Sequence, residues 1–193
     1  MNEVDRPSAV FLDRDGTLNE EVDYLHRAED VVLTPGSAQA LARLNALGIP
    51  VIVITNQSGI GRGFFGWEDY GAVMERISEL LALEGARIDA VYACPYHEEG
   101  LGIYHATDHP DRKPNPGMIL RAAEEHGLDL SRAWMIGDKE IDVEAGHRAG
   151  CRSVLVRTGY GSLRGPTQAD QVAEDLARAV EAIFRISGAG PTP

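Results

Sequence analysis

A chain of 193 residues can form one domain with a sizeable core, and 44% hydrophobic residues are enough to fill it. The formal net charge of −12 opposes binding to nucleic acid or to an anionic membrane surface. A small phosphorylated metabolite stays open as a partner, provided a metal ion and a few basic residues meet its charge locally.

Met1 to Arg6 is polar and acidic, unlike a secretory signal, and no apolar run reaches the roughly 20 residues that span a bilayer. A cytoplasmic, monomeric protein is expected. Ala9 to Leu12 reads as a buried strand, followed by Asp13-Arg14-Asp15-Gly16-Thr17-Leu18-Asn19. Ser37 to Leu47 reads as a helix with Gly48 as its stop. A second strand, Val51 to Ile54, precedes Thr55-Asn56-Gln57-Ser58-Gly59. Trp67 to Leu83 is the next expected helix, and Ala90 to Ala93 the third strand. Residues 94–116 then lose all periodicity and end in Arg112-Lys113-Pro114 and its flank; such an insert inside a compact domain is functional or disordered. Met118 to His126 is expected to be helical and to stop at Gly127. Trp134 to Ile136 is the fourth strand, followed by Gly137-Asp138-Lys139-Glu140-Ile141-Asp142. A helix from Val143 to Ala149, a strand from Val154 to Val156 and a helix near Asp175 to Ile186 complete the pattern. Residues 1–187 are read as one domain, and the Gly/Pro-rich residues 188–193 as a frayed tail. Strands alternating with helices predict an α/β fold with a mostly parallel sheet. Cys94 and Cys151 leave a single bridge open, although Cys151, beside an apolar run, reads better as a buried inert thiol.

In open parallel sheets, ligands bind beyond the carboxyl ends of the strands, so the polar residues after each strand carry the chemistry. Magnesium prefers oxygen donors and takes only a couple of carboxylates, which Asp13 and Asp138 can supply. A carboxylate can attack phosphorus and divide a hard hydrolysis into two easier steps. Asp15, two residues on in an extended segment, points the same way as Asp13 and suits proton transfer to the leaving oxygen and from the attacking water. Gly16 lets the chain turn behind it, while Thr55 and Lys113 suit the oxygens of a transferring phosphoryl group. Each signal alone is an ordinary turn, cap or surface lysine; together, in this order and at one sheet edge, they point to phosphoryl chemistry.

Phe11 to Leu18, Ile54 to Gly59, Arg112-Lys113-Pro114 and Ile136-Gly137-Asp138 resemble the four motifs of the haloacid dehalogenase (HAD) superfamily. The resemblance spans about residues 9–161. It implies a Rossmann-like three-layer core, Asp13 as nucleophile and Asp15 as acid/base. It also implies magnesium held by Asp13, Asp138 and the backbone carbonyl of Asp15. Tyr24 and Val156-Arg157-Thr158-Gly159 add similarity to the subgroup holding heptose bisphosphate and histidinol phosphate phosphatases. A heptose bisphosphate is the substrate this implies, with histidinol phosphate or another sugar or polyol phosphate as the alternative. Arg14, Gly16, Tyr24, Asn56, Gln57, Ser58, Arg112 and Lys139 lie in or beside the motifs and are the expected substrate contacts.

The stretches between Asp13 and Thr55 and between Thr55 and Lys113 are too short for a large cap domain, so an open site with loop-borne specificity is expected. Glu20, Glu21 and Asp23 would repel a second phosphate unless they bind sugar hydroxyls, whereas Arg62, Arg112 or Arg157 could receive it. Many relatives hold structural zinc in the insert through a Cys-x-His and a Cys-x-Cys pair. Here Tyr96, His109 and Asp111 stand at three of those positions. Cys94, His97, His105 and His109 can still ligate zinc chemically, but their spacing is not a standard one; a loop ordered by hydrogen bonds is the other reading. A catalytically dead binding homologue has no need of the full set Asp13, Asp15, Thr55, Lys113 and Asp138. Transfer to a sugar acceptor would need a water-excluding lid that no segment resembles.

Overall fold

The computed structural model describes residues 6–162 and 165–188. Its elements in chain order are β1 (Val10–Leu12), α1 (Ser37–Ala46), β2 (Val51–Asn56), α2 (Ser58–Gly61), α3 (Trp67–Ala82), β3 (Ala90–Cys94) and α4 (Gly117–His126). There follow β4 (Trp134–Gly137), α5 (Glu140–Ala149), β5 (Arg152–Val156), β6 (Gln171–Ala173) and α6 (Leu176–Ile186). The strands pair in parallel into one six-stranded sheet, ordered β3-β2-β1-β4-β5-β6. β1 is central, and the winding direction reverses between β1 and β4, where α/β sheets open a crevice for ligands.

Helices cover both faces, which is why the strands are continuous apolar runs rather than alternating ones. Val10, Leu12, Val51, Val53 and Ile136 face a core shared with Leu41 and Leu44 of α1, Val73 and Ile77 of α3, and Val180 and Ile183 of α6. Phe11, Ile52, Ile54 and Met135 face the opposite core, built on Met118 and Ile119 of α4 and Ala145 of α5. This is the expected three-layer α/β arrangement. The register sets Leu12 beside both Val53 and Ile136, so the polar residues after β1, β2 and β4 emerge along one edge.

Gly127 takes a left-handed conformation as the C-cap of α4, and Gly48 does the same just past α1. α5 begins at Glu140, a turn before the expected Val143, because the Asp142 side chain reaches back to the Lys139 amide and starts the helix. Residues 94–116 form the expected irregular insert, with one short 3-10 turn at Gly102–Tyr104 and a bridge between His97 and His105. No separate cap domain stands over the sheet edge among the described residues. Cys94 and Cys151 are both free and buried. The expected tail, beyond Gly188, lies outside the described residues.

Candidate active site

Asp13 leaves the end of β1 with its amide hydrogen-bonded to the Ile136 carbonyl at 2.9 Å, so β4 fixes its direction. Its Oδ1 lies 2.7 Å from Lys113 Nζ. That ammonium also meets Asp142 Oδ1 at 2.6 Å and donates to the Ile54 carbonyl at 2.9 Å. Lys113 is 3% exposed, a position for a lysine that only such pairing permits. Its backbone is pinned reciprocally by Asn56: Lys113 N donates to Asn56 Oδ1 at 3.1 Å, and Asn56 Nδ2 donates to the Lys113 carbonyl at 3.0 Å. The insert is thereby tied to the end of β2.

Asp138, after β4, is 2% exposed and accepts the Tyr160 amide at Oδ2, 2.7 Å away. Its Oδ1 is buried with no partner in the protein. Burial, and then the neighbouring Asp13 carboxylate, push its pKa up to about 7. Burial likewise pushes Asp13 up to about 6 against the opposing pull of Lys113. Asp13, Asp138 and Asp142 are the one group of metal-ligating side chains that converges within 4.8 Å among the described residues. Asp142 is engaged at both oxygens, by Lys113 and the Lys139 amide, whereas Asp13 meets Lys113 through Oδ1 alone and Asp138 Oδ1 has no donor, so these two carboxylates each keep an oxygen for a cation. A buried carboxylate oxygen without a donor fits a hard divalent ion.

Gly16 has φ 79, and a Cβ there would lie 2.5 Å from Asp138 Oδ2. Only glycine lets the β1 loop cross this close to the acid cluster. Thr158 Oγ1 donates to the Gly16 carbonyl at 2.6 Å and ties this turn to the loop after β5. Asp15 accepts from Arg14 Nε at 3.0 Å, Arg14 Nη2 at 2.8 Å, Asn19 Nδ2 at 3.0 Å and Gln57 Nε2 at 3.0 Å. Arg14, expected as a substrate contact, is 1% exposed, with Nε and Nη2 given to Asp15, Nη1 buried without a partner, and its guanidinium 5.4 Å from the centre of the Tyr70 ring. It fixes the acid from behind.

A cavity of about 200 Å³ opens over these groups, lined by Asp13, Arg14, Asp15, Glu21, Val22, Asp23, Tyr24, Leu25, Thr55, Asn56, Gln57, Ser58, Gly59, Phe65, Lys113, Lys139, Ile141 and Tyr160. Lys139 crosses its mouth to Glu21 at 3.1 Å and lies over the Tyr160 ring. Tyr24, with φ 55, packs edge-on to Phe64, and its hydroxyl accepts from Arg62 at 2.6 Å. Arg62 is itself paired with Glu99 at 2.8 Å. Arg112 and Gly16 do not line the cavity; Arg112 donates to the Tyr96 carbonyl, and burial lowers its pKa. Tyr160 was not expected in the site; its only sequence signal is its place after β5 at the same sheet edge.

The insert's zinc candidates stand apart. No three of Cys94, His97, His105 and His109 converge on one point. Burial raises the Cys94 thiol to about 11, so in the metal-free insert it stays protonated. His97 Nδ1 accepts the Glu99 amide, and His109 Nδ1 accepts the Asp111 amide while its ring stacks on Tyr96 at 3.6 Å.

A carboxylate at the end of the central strand, a buried lysine beside it and a second acid after β4 define a HAD-type phosphatase. The HAD-hydrolase-like family model matches residues 111–179. The chain is 44% identical over 182 residues to a D-glycero-beta-D-manno-heptose-1,7-bisphosphate 7-phosphatase of Mesorhizobium japonicum, covering 92% of this chain and 84% of that one. It is 48% identical to the D-glycero-D-manno-heptose-1,7-bisphosphate 7-phosphatase of Thermosynechococcus vestitus, covering 90% and 93%. The chain belongs to this heptose-1,7-bisphosphate 7-phosphatase family. Among solved structures, the D,D-heptose 1,7-bisphosphate phosphatase of B. bronchiseptica, complexed with magnesium and phosphate, superposes with a TM-score of 0.80 at 34% identity, covering 92% of this chain and 98% of that one. A HAD-like phosphatase from Mesorhizobium loti does so with a TM-score of 0.84 at 41% identity, covering 97% and 89%.

Proposed function

We propose that this protein removes the 7-phosphate of D-glycero-D-manno-heptose 1,7-bisphosphate by a magnesium-dependent, aspartyl-phosphate route. The observation that carries the chemistry is the Asp13–Lys113 pair at 2.7 Å set beside the unpartnered Oδ1 of Asp138. The substrate rests on the family relatives. Asp13 and Asp138, with the Asp15 carbonyl, would hold the magnesium ion. When bound, that ion draws charge from the phosphoryl oxygens.

Asp13 attacks phosphorus through a carboxylate oxygen, and the sugar oxygen leaves with a proton from Asp15. Asp15 then takes a proton from water, whose oxygen attacks the aspartyl-phosphate and releases inorganic phosphate with Asp13 restored. Lys113 and Thr55 neutralise and hydrogen-bond the phosphoryl oxygens. Asn56 acts through Lys113, whose backbone it clamps. Ser58, Tyr24, Lys139 and Glu21 line the sugar's approach. For a second phosphate reaching beyond the cavity, the proposed partner is Arg112, which lies outside the cavity lining, half-buried and bound to a carbonyl rather than to an acid.

We also infer that the insert is ordered without zinc, a reading supported by the His97 and His109 hydrogen bonds and the Tyr96–His109 stack. Free buried thiols support a reducing, cytoplasmic location, and the charge of −12 supports a monomer. No described helix is long and apolar enough to cross a membrane. Turnover of heptose bisphosphate and histidinol phosphate under saturating magnesium tests the substrate. The heptose compound should have at least a ~10-fold higher kcat/KM, a ratio that a pocket built for the sugar's polar groups supplies easily. Preference for histidinol phosphate would overturn the substrate and leave the chemistry standing.

A further inference from the structure

Gln57 sits just past β2 and is 4% exposed. Its Nε2 lies 3.0 Å from Asp15 Oδ2 and 2.9 Å from Thr55 Oγ1. Arg14 and Asn19 also donate to the Asp15 carboxylate, so this carboxylate acts as an acceptor and fixes which end of the amide faces it. The amide nitrogen carries two hydrogens. One goes to Asp15 and the other to Thr55, whose hydroxyl oxygen is therefore the acceptor in that contact. The Thr55 hydrogen is left to donate into the cavity that Thr55 and Gln57 both line.

We propose that Gln57 is a positioning residue that sets the direction of the Thr55 hydroxyl and the orientation of Asp15 with a single amide group. This rests on the roles assigned above to Asp15 and Thr55, and it differs from the substrate contact that the motif alone suggests. The phosphoryl group then meets a donor already aimed at the oxygens where negative charge grows, with no reorganisation during the reaction. The same nitrogen steadies the proton shuttle on the leaving-group side.

Two substitutions separate this from a packing role. Gln57→Leu keeps the volume and removes both donors. Gln57→Glu keeps the shape but sets a carboxylate against Asp15 and captures the Thr55 hydrogen. With heptose bisphosphate and saturating magnesium, kcat should fall ~10-fold for Gln57→Leu and ~100-fold for Gln57→Glu, with KM within ~3-fold of the parent. With p-nitrophenyl phosphate, whose leaving group needs no proton, the loss in kcat/KM should be smaller for both. A packing residue would affect both substrates equally. Either variant keeping kcat within ~3-fold of the parent, a loss carried by KM, or Gln57→Leu being the more damaged would overturn the proposal. If Gln57→Leu fails to fold, the isosteric Gln57→Glu decides by its kcat and by the comparison of substrates. A parent protein without magnesium-dependent turnover would overturn the functional reading as well; an active parent with unaffected variants overturns this inference alone.

Discussion

Replacing Asp138 by asparagine should stabilise the metal-free protein above neutral pH. The carboxyl is 2% exposed, one oxygen has no donor, and the Asp13 carboxylate stands beside it. Its folded pKa is raised from 3.8 to about 7, so the folded state holds the proton more tightly than the unfolded chain. The stability tied to that proton is complete below about pH 4 and is lost as pH rises through about 7. At about 1.4 kcal/mol per pKa unit, the shift from 3.8 to about 7 amounts to roughly 4 kcal/mol. Asparagine keeps an oxygen for the Tyr160 amide, presents an NH2 group to Asp13 and never ionises. For a domain of this size the gain is worth about 10 °C in Tm. Thermal melts in chelator should show the variant above the parent at about pH 8 and level with it near pH 4. Saturating magnesium should lift the parent and leave the variant unmoved. A variant equal to or below the parent at pH 8 in chelator would refute the reasoning.

Asp13→Asn and Asp15→Asn should each lower turnover by ~10³-fold or more with unchanged circular dichroism; near-parental activity of Asp13→Asn would exclude the aspartyl-phosphate route. Apparent magnesium affinity, read by calorimetry, should climb steeply with pH up to about 6 and level off above about 7, because the raised Asp13 and Asp138 must lose their protons to bind the ion. An affinity independent of pH over that range would remove both carboxylates from the metal site. Elemental analysis of protein purified without a metal-affinity tag should find less than ~0.1 equivalent of zinc, since His97 and His109 each spend Nδ1 on a backbone amide; a full equivalent would mean that the insert closes on metal.

Five of the six strands were legible because burial on both faces makes them unbroken apolar runs, as in Val51-Ile52-Val53-Ile54. β6 was not. Gln171-Val172-Ala173 is a short edge strand, half of it open to water, and it is held in place by pairing with β5 rather than by its own pattern. α2 was missed for a similar reason: Ser58–Gly61 is a single glycine-containing turn without a periodic face. The site's main residues were legible because they follow strand ends, and the parallel register gathers those ends. What a side chain does there was less so. Arg14 and Gln57 share motifs with substrate-facing residues, yet their polar groups turn toward Asp15 and Thr55. Asp142 reads from the sequence either as an acid orienting Lys113 or as a first-turn acid, and the fold shows it doing both, with one oxygen on Lys113 and the other on the Lys139 amide.

Phosphorus NMR of the purified protein with magnesium and each anomer of D-glycero-D-manno-heptose 1,7-bisphosphate reads the broken bond directly. The 7-phosphate resonance should vanish as inorganic phosphate grows, with the 1-phosphate resonance retained. Loss of the 1-phosphate first, or a bisphosphate left intact while the same sample hydrolyses another phosphomonoester, would contradict the assignment.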